Sequence, residues 1–427
     1  MTQRKRKIAV VVTHRAPYGR LRSVLRAIQN HPNLELQLIV GVPMSLYKLW
    51  FGLKHSTSFF KALPWYLRAR LKTIWRGDAG HELLAKLVME DEFAIDHYLP
   101  MFLDGGNLES MLKIQGNVLF ELPPLLKKLT PDILLVHADR FEMLPAAMVG
   151  AALNIPVAHT QGGDLSGTYD ETARHAITKL AHLHFPTTET SKRRIIQMGE
   201  DPRYVFMTGC PTIDVLSEID LGIDDGFYER VGKGYGDQID LRKPFLLVLQ
   251  HPVTSEYAQS KRNMEEVLQA VQSSNLPVLL FWPNIDGGTD GASQAVREFL
   301  RSHRVPQLAL YKTFKPDDFY RALNAAAVAV GNSSSFIREA SYLGTPTVMV
   351  GTRQQQRERA QNIVDAGYDA QDIAQKISEQ LSHGKYAPSD LYGDGKASSR
   401  VADILATVEL PSTQKIFHEV GIDGKTK

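Results

Sequence analysis

Short apolar runs of strand length alternate with helix-length stretches along most of this chain, and few architectures accept that alternation. Ile8–Val12 precedes a helical stretch, Leu21–Gln29, and then a second run, Leu34–Val42. The helical stretch Asn117–Leu129 leads into Ile133–Val136, and the Ala-rich stretch Leu144–Ala152 leads into Ile155–Ala158. Tyr204–Thr208 closes this first series at a Gly-Cys-Pro turn, Gly209–Pro211. A second series runs through Pro244–Leu249, Pro277–Phe281, Leu308–Tyr311, Ala327–Val330 and Thr347–Val350, with helical stretches at 261–273, 316–325, 335–343 and 370–382. Strand, helix, strand repeated in this way predicts parallel sheets covered by helices on both faces. The class is α/β, with two doubly wound domains.

The boundaries expected from the pattern are 1–210 for the first domain and 211–390 for the second. Residues 391–427 form a helix and tail that can return to the first domain. At 427 residues, 43% of them hydrophobic, the chain has enough apolar material for two cores of ordinary size. The formal net charge is only +2, which leaves no global basic excess for a nucleic-acid footprint. The single cysteine, Cys210, rules out an internal disulfide framework and fits a reducing, cytoplasmic compartment. Ile8–Val12 is too short an apolar run for a secretion signal or a membrane span. A homodimer is the default expectation for an enzyme of this size.

One segment breaks the rhythm. Residues 44–90 interleave Tyr47, Trp50, Phe51, Phe59, Phe60, Trp65, Tyr66 and Trp75 with Lys48, Lys54, Lys61, Arg68, Arg70, Lys72 and Arg76. Such a basic and aromatic stretch suits peripheral contact with an anionic membrane, where rings bury at headgroup depth and cations meet phosphates. It equally suits a helical lid or an oligomer contact with a solvated basic face.

In open parallel sheets, ligands sit beyond the carboxyl ends of the strands. Asp139, Arg140, Gln161, Gly162, Gly163 and Asp164 follow two adjacent apolar runs there, and Asp170 and His175 lie shortly after. Near the N-terminus, Thr13-His-Arg-Ala-Pro-Tyr-Gly19 joins a strand to a helix, so Arg15 and backbone donors can meet a phosphate; an ordinary turn with a surface ion pair is the alternative. In the second series, Ser333, Ser334 and Ser335 follow Gly331-Asn332 at a strand end and offer hydroxyls and N–H groups to a diphosphate, with Glu339 beyond them able to accept from ribose hydroxyls. A capping box accounts for only part of that run. His251 follows the strand ending at Leu249 and can titrate near neutrality. His159, His175, His182 and His184 lack the spacing of a zinc protease pair, and no catalytic metal is expected; His175 and His182 read as packing or substrate-positioning residues.

Taken together, the runs THRAPYG, HADRFE, GGDLSGTYDETARHAITKLAHLHF, QMGEDPRYVFMTGCPTID, HPVT, GNSSSFIREA and GTRQQQRERAQN resemble the UDP-N-acetylglucosamine 2-epimerase family, most closely its hydrolysing branch. The resemblance covers about 7–43 and 117–400, and the segment 44–90 has no evident counterpart in it. It implies a GT-B-like fold of two Rossmann-like domains around a cleft, with no cofactor and a UDP-sugar as the partner molecule. Arg15, Ser333, Ser334, Ser335 and Glu339 would hold UDP, with Gly351, Thr352 and Arg353 close by, and Arg140 and His175 would contact substrate. Asp139, Asp170 and His251 fall on the family's catalytic positions. The implied reaction removes the C2 proton as UDP leaves C1, and water adds to the resulting glycal to give N-acetylmannosamine or a diacetamido analogue for nonulosonic-acid or surface-polysaccharide synthesis.

Gln161 departs from the pattern. Well-known hydrolysing members carry Glu there, and an amide can hydrogen-bond a sugar but cannot act as a base. Asp164 or Asp170 is then expected to supply the carboxylate, or the substrate differs. A GT-B glycosyltransferase with a membrane-associated acceptor is the alternative enzyme, and a non-catalytic sugar-nucleotide sensor is a third reading.

Overall fold

The computed structural model describes residues 4–44, 82–103, 108–166, 169–283, 288–302 and 307–420. Most of the basic aromatic segment, residues 45–81, lies outside the described residues. Its last part is a helix, Glu82–Glu90, whose Leu84, Leu87 and Val88 are buried.

By contacts the chain forms two units. One comprises Met1–Gly163, Ala173–Thr208 and Ser398–Lys427, and the other comprises Asp164–Thr172 and Gly209–Ala397. Asp164–Thr172 thus joins the second unit although its sequence neighbours belong to the first.

The first unit is built on strands β1 (Arg6–Val12), β2 (Leu34–Pro43), β3 (His97–Phe102), β4 (Ile133–His137), β5 (Val157–Thr160) and β6 (Leu183–Phe185). Their order is β3-β2-β1-β4-β5-β6, and every pairing is parallel. The helices are α1 (Arg15–Asn30), α2 (Glu82–Glu90), α3 (Leu108–Leu129), α4 (Met143–Ala152), α5 (Tyr169–Leu180), which belongs to this unit from Ala173 on, and α6 (Glu189–Gln197). Alternate residues of β1 go to opposite layers: Ile8, Val10 and Val12 pack with α1, while Ala9 and Val11 pack with α3 and α4. Burial on both faces is why the strands read as continuous apolar runs.

The second unit repeats the plan. Its strands are β7 (Tyr235–Gly236), β8 (Leu246–Leu249), β9 (Val278–Phe281), β10 (Leu308–Tyr311), β11 (Val328–Gly331), β12 (Thr347–Val350) and β13 (Ile363–Ala366), in the order β13-β12-β11-β8-β9-β10-β7. Apart from β7, which runs antiparallel on the edge, this is the arrangement of the first sheet. Helices α7 (Pro211–Glu218), α8 (Phe227–Val231), α9 (Ser260–Ser273), α10 (Thr289–Ser302), α11 (Pro316–Ala325), α12 (Arg338–Leu343) and α13 (Ala370–His383) belong to this unit. Two Rossmann-like sheets of this order place the chain in the GT-B-like class.

Sequence periodicity passes over β3, β6, β7 and β13. β3 carries Pro100, as an edge strand can, and β6 has only three residues. Conversely, Tyr204–Thr208 is not a strand: it contributes a 3₁₀ turn, Pro202–Tyr204, and one isolated bridge from Val205 to His184.

The last helix, α14 (Ala397–Thr407), buries Val401, Ala402 and Leu405 in the first unit's core, and Arg6 donates to the carbonyls of Leu405 at 2.6 Å and Val408 at 3.0 Å. The tail then straps across the β6 side. The ammonium of Lys415 donates to the carbonyls of Lys179 and Ala181 and lies 2.5 Å from Oε2 of the buried Glu200. Lys179 reaches Oε1 of Glu200 at 2.6 Å and His184 Nε2 lies 3.1 Å from Oε2. Burial alone would raise the Glu200 carboxyl, but the His184 hydrogen bond and the lysine charges overcome it and hold it at about 2, from an ordinary 4.5. Because the folded value is depressed, this stabilisation is present above pH 4.5 and is lost as the pH falls from 4.5 to 2. Glu200→Gln should cost about 3 kcal/mol at pH 7. Urea unfolding should show that cost shrinking through that acid window, whereas a cost independent of pH would remove Glu200 as its source.

Candidate active site

Each sheet has one place where consecutive connections leave neighbouring strands for opposite faces, between β1 and β4 in the first and between β8 and β11 in the second. Ligands bind at such switch points. Both are lined with polar side chains here.

In the first unit, Glu142, entirely buried just after β4, draws the two strand ends together. Its Oε1 accepts from Thr13 Oγ1 at 2.8 Å and from Arg140 Nε at 2.7 Å, and His14 Nε2 lies 3.4 Å away. Arg140 Nη2 is also 3.3 Å from His14 Nε2. Three residues after the first and fourth strands are thereby gathered on one carboxylate. Arg15 opens α1, and its side chain lies outside the described residues.

The adjacent ends of β4 and β5 are conformationally strained. Ala138 and Gln161 both lie in the left-handed region, with φ of 60° and 61°. His159 braces this corner from below. Burial pushes its imidazole down to about 3, so it is neutral at neutral pH. Its Nε2 contact of 2.8 Å with the Ala138 carbonyl then requires a proton on Nε2, leaving Nδ1 to accept from Thr178 Oγ1 at 3.2 Å. A Cβ on Gly162 would come within 2.9 Å of that Nδ1, which is why glycine follows Gln161. Asp139, next to the braced Ala138, receives a hydrogen bond from the buried guanidinium of Arg174 on α5. Gln161 is itself buried, and its N–H donates to the Phe185 carbonyl.

Asp170 stands in the first turn of α5, within the segment that belongs to the second unit, and His175 follows on the same helix in the first. Asp164 lies in the second unit, buried, with Oδ2 3.6 Å from Arg357 Nη2; Arg357 Nε also donates to the Leu165 carbonyl. That pair ties the short borrowed segment to the unit that holds it.

In the second unit the switch point is closed by Asn332. Its Oδ1 accepts from the His251 N–H at 2.7 Å and its Nδ2 donates to the His251 carbonyl at 2.8 Å. The Asn332 carbonyl in turn accepts from Arg353 Nη1 at 3.3 Å and Gln354 Nε2 at 3.2 Å. His251, Ser333 and Arg353 are therefore brought together at the ends of β8, β11 and β12. The preceding Gly331 has φ of 137°, and a Cβ there would lie 2.2 Å from the Leu249 carbonyl oxygen. Ser333 Oγ accepts from the Ser335 N–H and starts a 3₁₀ turn, Ser334–Phe336, ahead of α12. The sequence suggests one helix over 335–343; a 3₁₀ turn followed by the shorter helix α12 forms there. Ser334 and Ser335 are half-buried, whereas Glu339 is fully buried. Beside the cradle, Gly351 takes φ of 79°, and Thr352 donates to Glu256.

The family comparison decides the class. The UDP-N-acetylglucosamine 2-epimerase family matches over residues 71–406. The chain belongs to that family. The match begins inside 44–90, so that segment is not wholly foreign to it. A Legionella pneumophila relative, UDP-N,N'-diacetylbacillosamine 2-epimerase (hydrolyzing), is 34% identical over 407 residues, covering 95% of this chain and 97% of its own. A Neisseria meningitidis UDP-N-acetylglucosamine 2-epimerase is 28% identical, covering 98% of this chain and all of its own. Among solved structures, a UDP complex of Staphylococcus aureus MnaA superposes with a TM-score of 0.71 at 17% identity, covering 95% of this chain and 99% of that one, which speaks to the fold. With its relatives, this member of the 2-epimerase family is an enzyme of the hydrolysing branch, and the glycosyltransferase and sensor alternatives are set aside.

Glu142, Arg174, Asn332, Gln354 and Arg357 are among the polar residues that sequence reasoning did not single out. Asn332→Ala should cost about 2 kcal/mol, because it strips both peptide groups of His251 of their partners. Urea unfolding that leaves the variant as stable as the parent would show that the β8 and β11 ends do not depend on this pair.

Proposed function

We propose that this 2-epimerase hydrolyses a UDP-linked 2-acetamido sugar, releasing UDP and the free 2-epimer. The observation that carries the reading is the second unit's cradle, where Ser333–Ser335 and Arg353 converge on Asn332 at a switch point beside His251. Hydroxyls, turn amides and a guanidinium suit a diphosphate, whose charge grows as it leaves C1. We assign the proton transfers to Asp139 and Asp170, with Arg140, Gln161 and His175 contacting the sugar. A base takes the C2 proton, the C1–O bond electrons leave with UDP, and water adds its hydroxyl at C1 and a proton at C2 of the glycal.

The relatives named above act on two sugars by name, N-acetylglucosamine and diacetylbacillosamine. We favour the diacetamido sugar, with a nonulosonic acid or a surface polysaccharide as its destination, on the 34% identity with the enzyme named for it. Gln161 fits a sugar carrying an extra acetamido group, since an amide both donates to and accepts from another amide.

NMR in deuterated water, with both UDP-sugars supplied separately, tests this. Faster release of UDP with deuterium at C2 of the free sugar from the diacetamido substrate is the expected result; exclusive turnover of UDP-N-acetylglucosamine would reverse the substrate assignment, and turnover of neither would remove the hydrolytic reading. Asp139→Asn should lower kcat by about 100-fold or more while leaving KM little changed. Parent-like UDP release by that variant would take Asp139 out of the chemistry.

A further inference from the structure

At the far edge of the second sheet, where β7 pairs with β10, lies a cavity of about 640 Å³ that the proposed reaction does not use. Lys233 and Tyr235 border it from the β7 strand, Arg297 and Arg301 from α10, and Trp282 and Lys312 from the ends of β9 and β10. It is separated in the sheet from the cradle strands β11 and β12 by β8 and β9.

Its charge is one-sided. Four of these residues are cations, and the described lining includes no carboxylate. Glu298, the acid next to Arg297 in sequence, is turned to Lys261 at 2.7 Å. Among the described residues, Lys233, Arg297 and Arg301 make no hydrogen bond or close ion pair, Arg301 feels Glu298 only through longer-range charge attraction, and the guanidinium of Arg297 sits 5.5 Å from the Trp282 ring centre. Tyr235 is 65% exposed, so its ring is open to a ligand. Cations without close acid partners, beside one exposed and one half-buried aromatic ring and in a volume typical of small-molecule sites, suit a ligand with a flat ring and a phosphate.

We propose that this edge cavity is a second ligand site, which takes a nucleoside phosphate: base against Tyr235 and Trp282, phosphate on Arg297, Arg301 and Lys233. Base stacking on an aromatic side chain and forked guanidinium contacts to phosphate are the two sources of affinity. The site is separate from the UDP cradle, so its occupancy can be read without turnover.

Isothermal titration of the full chain with AMP, CMP, GMP and UMP, and with pyrophosphate as the ringless control, tests the proposal. At least one nucleotide should bind, more tightly than pyrophosphate, and R297A/R301A should weaken it about tenfold or more through lost charge-assisted contacts. Both guanidinium groups are exposed, so the double variant should keep the parent's circular dichroism and melting curve; Y235A supplies an independent loss on the ring side. Binding of no nucleotide would overturn the proposal. So would binding unchanged in R297A/R301A, which would place the nucleotide in the UDP cradle, and so would pyrophosphate binding as tight as any nucleotide, which would leave only a polyanion surface.

Discussion

Arg140 and His251, and the residues gathered around them, share a constraint of parallel sheets: where two neighbouring strands send their connections to opposite faces, no crossover covers the peptide groups at their carboxyl ends. Both sheets have that gap, between β1 and β4 and between β8 and β11. Exposed backbone polar groups must then be satisfied by side chains, solvent or ligand. In the second unit one buried Asn332 meets both the N–H and the C=O of His251, and the serine turn follows it directly. In the first unit the buried Glu142 does the corresponding work with side chains, collecting Thr13, His14 and Arg140. One fold problem is answered twice with different chemistry, by a side-chain amide in the second unit and a carboxylate in the first.

Strain at the β4 and β5 ends follows from the same geometry. Ala138 and Gln161 take left-handed backbone conformations that cost roughly 1–3 kcal/mol each for residues with a side chain. The cost is met locally by His159, whose neutral ring links the Ala138 carbonyl to Thr178 on α5. The same helix supplies Arg174 to Asp139. A single helix therefore fixes both the backbone behind Asp139 and its carboxylate, and under the proposed chemistry that rigidity keeps the reacting group aligned.

How much of this was legible in the sequence depends on the range of the interaction. The long apolar strands and the Gly-Asn-Ser-Ser-Ser turn announce themselves because burial on both faces and φ values only glycine favours leave local marks, as at Gly331. Asp139, Gln161 and His251 were singled out as candidates from their place after apolar runs. Glu142 was not, because its importance comes from Thr13, 129 residues away, and from its complete burial, neither of which leaves a periodic signal. Asp164 and Asp170, read from their place near Gly162-Gly163, both fall by contacts in the second unit, where Asp164 faces Arg357. Strands β3 and β6 escaped notice because one contains proline and the other is too short for any alternation to register.

The tail completes the first unit for a reason that also lies in sheet physics. β6 is an edge strand, and an uncovered edge invites pairing with other chains. Here the edge is covered by the Val205 bridge, by Phe206 N–H donating to the His184 carbonyl, and by tail residues 413–418, with Thr413 held through His182 and His418 donating to Gly199. Glu200 is what makes the cover stay: buried beside His184 and Lys179, it draws a second ammonium from Lys415, 215 residues away. A buried carboxylate with one lysine at its exposed rim would be costly, and the second lysine closes the network. Since β6 pairs with β5 and the Phe185 carbonyl anchors the N–H of Gln161, the strap at the chain's end steadies the strand edge from which the candidate site begins.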